Sequence, residues 1–252
     1  MDISTIERTF LEKCAKDAGW EIESNTKTDC INLFSSFFKE NGSINKNTEN
    51  SFVICFTRLL NQGHFESDIH FNSKGEFEFS LKELSVLSVL LKRVAEIFAS
   101  LPDNPLDEYQ KKIAEFSDTE IQKTEVKRLV IERVGQDIYR DALMNYWGGA
   151  CAVTGCTLKD TLRASHAKPW KDCSNDAERL NIYNGFLLTA NLDVLFDKGY
   201  ISFTNEGLIM ISSVLKDSDL WSLGVSPEMK LRGIEEEHLK FLDYHHKQIW
   251  KN

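Results

Sequence analysis

Apolar residues in the first hundred positions recur mainly at helical spacing, which is typical of helices with one face toward a core. The pattern predicts an opening helix that stops at Gly19 and a second helix over 29–39. A long helix is predicted to follow a capping box at Ser80 and Glu83 and to run to Phe98. The apolar face of the opening helix is predicted to consist of Ile3, Ile6, Phe10, Cys14 and Ala18.

Three further segments of this half are less clearly helical. The Asn-rich run 40–50 predicts a loop, while the apolar segment 52–60 fits a helix or a buried strand equally well. Residues 68–71 and 76–79 alternate in polarity around a polar turn that ends in Gly75, which predicts a β-hairpin. We therefore expect this half to be folded and mainly helical, with one hairpin.

The second half changes from long helices to short elements. A helix is predicted over 124–147, where apolar positions again follow a helical period. A short strand that ends at His166, a second strand that starts after Asn184 and a brief helix that closes at Gly199 are predicted to follow.

Length and composition fit a globular chain of one large or two ordinary domains. The chain has 252 residues, of which 42% are hydrophobic, and this is enough to bury a real core. A break at 101–105 and a linking helical stretch place the expected boundary between domains 1–118 and 119–252. No apolar run is long enough to span a bilayer, and the N-terminus lacks the order of a signal peptide, so we expect a cytoplasmic protein without a membrane partner.

The cysteines are spread through the chain without a close-set framework, which suits free thiols in a reducing compartment. Cys151 and Cys156 are separated by four residues, and only Cys173 lies nearby as a third ligand. This spacing argues against a structural zinc site.

The negative charge is concentrated in the first half of the chain. The formal net charge is −9. Residues 1–118 carry 13 basic and 20 acidic residues, or −7, and residues 119–252 carry 17 and 19, or −2. Between 122 and 171 there are 9 basic and 5 acidic residues. Local basicity of this kind is what contacts to DNA phosphates need, whereas the acidic first half favours a protein or small-molecule partner.

Several separated motifs in the second half resemble those of the HNH nucleases, the ββα-metal class. The segment 133–140 resembles the R-x-G-Q-x-x-F-R segment that precedes the nuclease core in these proteins, with Tyr139 in place of Phe. The resemblance covers roughly residues 120–250. Its core motifs are S-H-x-x-P-W at 165–170, N-G-x-x-L at 184–188 and L-D-x-L-F-D-x-G at 192–199.

The resemblance implies an α+β chain with a C-terminal ββα-metal nuclease domain that hydrolyses DNA with a single divalent ion. His166 would act as the general base, and Asn184 would order the loop that holds it. Asp193 and Asp197 lie four residues apart, so both carboxylates project from one helix face as metal ligands, and hard oxygen ligands favour Mg²⁺ or Mn²⁺. Many members have an aspartate or histidine before the base histidine, whereas this chain has Ser165, so the third protein ligand stays open.

Five basic residues around these motifs are candidates for contacts to DNA phosphates. For each, a solvated charge or a side chain that braces the fold is the alternative. His245 and His246, on a predicted C-terminal helix, receive no catalytic role. The five candidates are Lys168, Lys171, Arg179, Arg133 and Arg140.

In the subgroup with these motifs, the nuclease is commonly the C-terminal module of restriction and defence proteins, which implies a restriction or anti-phage role. A nonspecific nuclease effector or toxin gated by the N-terminal domain is an alternative. A catalytically inactive DNA-binding protein with an HNH fold is another. The oligomeric state also stays open, although cutting both strands with one site per chain is easier for a homodimer.

Overall fold

A computed structural model describes two compact units, Met1–Ala99 and Ser100–Asn252. The predicted domain boundary after residue 118 falls within 118–123, which lie outside the described residues. Within the described ranges, no helix has the length and apolar character needed to cross a membrane. Those ranges are 1–22, 28–47, 51–58, 60–65, 71–74, 76–81, 86–117 and 124–252.

The first unit contains a six-stranded sheet and two helices. Its helices are α1 (Thr5–Asp17) and α2 (Leu87–Ser100), the last residue of which starts the second unit. Its strands are β1 (Glu21–Ile22), β2 (Cys30–Phe34), β3 (Gly42–Lys46), β4 (Phe52–Phe56), β5 (Phe71–Lys74) and β6 (Glu76–Leu81). The order in the sheet is β1-β2-β3-β4-β6-β5, and every neighbouring pair is antiparallel.

The prediction of a mainly helical first half is therefore wrong, and β2 shows the physical reason. Ile31 and Leu33 are both buried, so burial follows the two-residue period of a strand. The neighbouring Phe37 and Phe38, which suggested a helical face, lie beyond the strand, and Phe37 is 77% exposed. Clustered phenylalanines thus hid the strand period.

The next two strands repeat this pattern. In β3, which replaces the predicted loop 40–50, only the central Ile44 is buried. In β4 the burial alternates through Phe52, Ile54 and Phe56, so the segment whose type the sequence left open is a strand.

A hairpin is present, but residues 72–74 of the predicted turn belong to its first strand, residues 68–70 of the predicted strand lie outside the described residues, and the helix after the hairpin begins later than expected. Lys74 pairs with Glu76 across the turn, whose Gly75 lies outside the described residues. Ser80, the predicted helix cap, belongs to β6, and the following helix begins at Leu87.

An aromatic cluster fills the core of the first unit. The ring of Trp20 lies 5.0 Å from that of Phe38, 5.7 Å from that of Phe56 and 6.1 Å from that of Phe98, measured between centroids. The indole nitrogen of Trp20 donates to the carbonyl of Leu91 at 2.9 Å, which joins α2 to this cluster. Burial of these rings contributes to the stability of this unit.

The second unit contains two long helices followed by short strands and helices. The elements are α3 (Asp103–Ser117), α4 (Thr124–Tyr146), β7 (Leu162–His166), α5 (Asp176–Arg179), β8 (Gly185–Thr189), α6 (Ala190–Asp197), β9 (Ile201–Phe203), β10 (Ile209–Ile211), α7 (Asp217–Ser222) and α8 (Glu236–Gln248). Strands β7 and β8 pair antiparallel, as do β9 and β10. The α+β class is confirmed, and β7, β8 and α6 follow in the predicted order of strand, strand and helix.

Helix α8 holds α6 in place through its histidines. The ring of His245 stacks on Phe196 with centroids 4.0 Å apart, and its Nε2 donates to the Phe196 carbonyl at 2.9 Å. Its Nδ1 lies 3.0 Å from the hydroxyl of Ser202. Nε2 of His246 lies 3.0 Å from the carbonyl oxygen of Phe203. These contacts use both histidines inside the fold and position the helix that carries Asp193.

Candidate active site

Gly185, the first residue of β8, lies in close contact with β7 and with Tyr139. His166 stands opposite Gly185 in the register of β7 and β8. A Cβ atom at Gly185 would lie 1.9 Å from the carbonyl oxygen of Ser165 and 2.5 Å from the hydroxyl of Tyr139. Only glycine leaves room for this approach, which explains why the strand starts with this residue.

Asn184 is completely buried and ties together the loop between the strands. Its Oδ1 accepts from the Lys168 amide at 2.8 Å, and its Nδ2 donates to the carbonyl oxygens of Lys168 and Glu178, each at 3.1 Å. Its Nδ2 also lies 3.3 Å from the sulfur of Cys173. The Asn184 side chain therefore fixes both ends of the segment 168–178 by satisfying backbone groups that have no partner in a strand or helix ladder.

His166 is oriented by a backbone carbonyl. Its Nε2 lies 2.9 Å from the carbonyl oxygen of Arg179. A carbonyl oxygen can only accept, so Nε2 carries the hydrogen, and in the neutral ring the lone pair lies on Nδ1. Nδ1 makes no hydrogen bond to the residues that the structure describes.

The surroundings of His166 keep the ring neutral at physiological pH. Burial disfavours the imidazolium and lowers the pKa of His166 to about 4, although the hydrogen bond to the Arg179 carbonyl opposes this shift. By accessible area the residue as a whole is half-buried.

Two aromatic residues that the sequence did not mark as site residues hold this ring. Tyr139 stacks on His166 with centroids 3.8 Å apart, and its hydroxyl donates to the Asn184 carbonyl at 3.1 Å. Trp170 meets the ring edge at a centroid distance of 5.7 Å. A Cβ atom at Gly135 would lie 2.6 Å from the Trp170 ring, so glycine there admits the indole. The R-x-G-Q-x-x-F-R resemblance was the signal for Tyr139 and Gly135.

Asp193, on α6, lies beside Ser165, the residue that precedes His166 in β7. Burial raises the pKa of the Asp193 carboxyl, and the negative charge of Asp197 raises it further, whereas the nearby hydroxyl of Ser165 lowers it. No hydrogen bond of standard geometry joins that hydroxyl to Asp193, and the buried Ser165 Oγ has no partner in the described part of the chain. Asp197 is exposed and forms an ion pair with Lys198 at 2.7 Å.

The predicted metal ligands and the predicted base lie on different sides of β7. Ser165 approaches α6, which carries Asp193, whereas His166 stacks on α4, because neighbouring strand residues point to opposite faces. Asp193 and Asp197 are close enough to influence each other. Among the described residues, however, no group of three or more histidine, cysteine, aspartate or glutamate side chains is arranged to hold a metal ion.

Three of the five basic candidates for phosphate contacts are engaged inside the fold. Lys168 forms an ion pair with Glu178 at 2.7 Å, and Arg179 forms one with Asp176 at 2.8 Å. Arg140 donates to the carbonyl of Leu162 at 2.8 Å, so it braces the start of β7.

The other two basic candidates are exposed. Arg133 forms an ion pair with Asp137 at 3.3 Å, and its side chain is 74% exposed. Lys171 forms no ion pair within the ranges that the structure describes. These two remain the candidates whose charge is open to solvent.

A comparison with protein families gives the class of this site. Residues 151–204 match the family described as HNH endonuclease. The matched segment is less than half of the chain and contains β7, β8 and α6, with His166, Asn184, Asp193 and Asp197. The candidate site therefore lies in a segment that is similar to HNH endonucleases. No curated protein matches the chain.

Proposed function

We propose that this chain is a metal-dependent endonuclease that hydrolyses phosphodiester bonds of DNA with His166 as the general base. The orientation of His166 carries the proposal. Its Nε2–H is held by the Arg179 carbonyl, so the neutral ring offers its Nδ1 lone pair to a water molecule. The HNH endonuclease match over 151–204 supports the reaction class.

His166 would take the proton of the attacking water. With a pKa of about 4 the ring is neutral but only weakly basic in the free protein. A phosphate anion beside the ring would stabilise the imidazolium and raise this pKa toward the working pH. The stacked ring of Tyr139 and the Arg179 carbonyl keep the imidazole in one orientation during this transfer.

The residues around Asp193 fit a divalent cation with oxygen ligands. Burial and, to a smaller extent, the negative charge of Asp197 raise the pKa of the Asp193 carboxyl, and the hydroxyl of Ser165 is buried beside it without a standard hydrogen bond. A cation held by Asp193 and Asp197 would stabilise the ionised Asp193 carboxylate and would give the Ser165 hydroxyl oxygen a partner. Such a cation, Mg²⁺ or Mn²⁺, would supply charge neutralisation at the non-bridging phosphate oxygens and an acidic water for the leaving group.

The test is plasmid cleavage with Mg²⁺ or Mn²⁺ by wild type, His166→Ala and Asp193→Ala. Loss of a general base costs about 100-fold or more in rate, so His166→Ala is expected to leave the plasmid intact over the assay. Asp193→Ala is expected to do the same because it removes a proposed metal ligand. Asp217→Ala removes an exposed aspartate of the first turn of α7 and serves as the matched control. Cleavage by His166→Ala at the wild-type rate would exclude His166 as the base.

An inactive DNA-binding protein with this fold is the second candidate. It is favoured by the ion pair of Asp197 with Lys198 and by the lack of a three-residue metal cluster in the described ranges. In that case no metal would support cleavage, and wild type and His166→Ala would bind DNA equally.

We further propose a role in restriction or anti-phage defence, in which the first unit senses DNA modification, a protein or a small molecule. The motif resemblance and the net charge of −7 over 1–118 support this proposal. Plasmid from a modifying host and unmodified plasmid should then be cut at different rates. Equal rates would favour the nonspecific effector or toxin, gated by the first unit. Sedimentation of the active species would test whether it is a homodimer.

A further inference from the structure

A cavity of about 400 Å³ lies in the second unit between α3, α4 and the segment around α5. It is bounded by residues that also contact His166. Trp170 meets the His166 ring edge, and Arg179 supplies the carbonyl that His166 donates to. The cavity and the candidate base therefore share one wall.

Part of the lining of this cavity is aromatic and aliphatic. Trp170 and Tyr109 line it, together with Ile113 and Ile131. The Trp170 indole is held between its contacts with Gly135 and His166, so its position is fixed before any ligand arrives. A rigid aromatic ring with aliphatic neighbours is the surface on which a nucleobase stacks.

The charges of the cavity are of both signs. Asp176 and Arg179 neutralise each other at 2.8 Å. Arg128 and Lys171 also line the cavity, are exposed, and form no ion pair within the described part of the chain. They can therefore neutralise an anion.

Two polar groups beside the aromatic surface can recognise the edge of a base. The Glu132 carboxylate lines the cavity, and an acidic side chain accepts from exocyclic amines of bases. Burial and the carboxylate of Asp176 raise the pKa of Tyr109, so its hydroxyl keeps its proton and can donate.

We propose that this cavity binds a single nucleotide, with the base against Trp170 and the phosphate at Arg128 and Lys171. The volume lies in the range of small-molecule sites. The nucleotide can be free or can be an unstacked unit of a DNA strand, and the proposal rests on the proposed function only in the second case. Because the cavity shares Trp170 and Arg179 with the His166 surroundings, its occupancy is expected to stabilise the orientation of that ring.

Calorimetric titration of the full chain with EDTA present tests the proposal without cleavage. The free-nucleotide probes are the deoxynucleoside 5′-monophosphates, with the matching nucleosides and inorganic phosphate as partial ligands. The strand probes are a short single-stranded oligonucleotide and a fully abasic strand of the same length.

Two variants and one control locate the binding. Arg128→Ala removes a phosphate contact and is expected to weaken nucleotide binding roughly tenfold. Ile113→Trp fills the cavity and is expected to abolish the preference for nucleotide over phosphate and for the intact over the abasic strand. Lys112→Ala, an exposed cation of α3 that does not line the cavity, should bind as wild type does.

The possible outcomes separate this proposal from the proposed function. Binding of monophosphates that weakens in both variants identifies a free nucleotide, and binding of the intact strand alone identifies a DNA unit. No binding of any probe, or binding unchanged in Arg128→Ala and Ile113→Trp, overturns the nucleotide site. Plasmid cleavage without binding of any probe supports the proposed nuclease function and overturns the nucleotide site. Probe binding without plasmid cleavage supports the nucleotide site and contradicts the proposed nuclease function.

Discussion

The two sides of β7 differ in how completely their polar groups are satisfied. On the α4 side, His166 donates to the Arg179 carbonyl, and the Asn184 side chain closes the loop around it. On the α6 side, burial and the charge of Asp197 raise the pKa of the Asp193 carboxyl, and the buried Ser165 hydroxyl has no hydrogen-bond partner of standard geometry in the described part of the chain. The first side holds its geometry by itself, whereas a cation, under the proposed function, would stabilise the second.

Among the changes that test this contrast, removal of the Asn184 side chain should lower the free energy of unfolding the most. Asn184→Ala leaves the Lys168 amide and the Glu178 carbonyl without this partner and leaves the Lys168 carbonyl with the Cys173 thiol at 3.5 Å, and an unsatisfied buried group costs about 1–3 kcal/mol. We expect the free energy of unfolding to fall by roughly 3 kcal/mol in urea denaturation, with loss of cleavage. Asn205→Ala, at an exposed turn position, should change it by less than about 0.5 kcal/mol. A small loss for Asn184→Ala would show that the loop holds without it.

Protonation of His166 should have the next largest effect on the free energy of unfolding. The folded pKa of about 4 lies below the ordinary 6.5, so between these values the unfolded chain binds more protons and stability falls as the pH drops. For His166 alone the loss from pH 7 to pH 5 is on the order of 2 kcal/mol. His166→Gln should therefore show a shallower decline of unfolding free energy over this window than wild type. The remaining slope reports His238 and His245, whose pKa values burial also lowers to about 4.

The α6 side should respond to metal where the α4 side does not. With Mg²⁺ or Mn²⁺ at about ten times its dissociation constant, folding is stabilised by roughly 1.4 kcal/mol. We expect thermal unfolding of wild type to shift upward with metal, and Asp193→Asn to show no shift. Glu206→Gln, a conservative change at an exposed carboxylate, should retain the wild-type shift. Equal shifts in wild type and Asp193→Asn would place the cation elsewhere.

The same contrast explains how far the sequence could predict the molecule. His166, Asn184 and Asp193 stand in short motifs whose residue types are set by chemistry, so their elements were recognised correctly. Arg179 was proposed for phosphate, but its backbone carbonyl, 13 residues from His166, is what orients the ring. No local pattern encodes a backbone contact across a loop.

The first unit was predicted poorly for a different reason. In β2 and β4 the apolar residues serve only to fill a core, and phenylalanine and isoleucine do this in a helix or in a strand. Pairing between β4 and β6 joins residues whose sequence separation exceeds 20, such as Phe56 and Phe77. Tertiary pairing of this kind decided the structure, and a local period could not reveal it.

The smallest expected effect isolates the role of the Tyr139 hydroxyl on the well-satisfied side. Tyr139→Phe keeps the ring stacked on His166 and removes only the hydrogen bond to the Asn184 carbonyl. That carbonyl also accepts from the Ala167 amide at 3.0 Å, so it is not left without a donor. We expect a loss of about 1 kcal/mol in unfolding free energy and a cleavage rate within a few-fold of wild type. Tyr139→Leu, which removes the stacked ring as well, should lower the rate much further at similar folded content, because the imidazole then loses the surface that fixes its plane. If both variants cut at the same rate, the Arg179 carbonyl alone would suffice to orient His166.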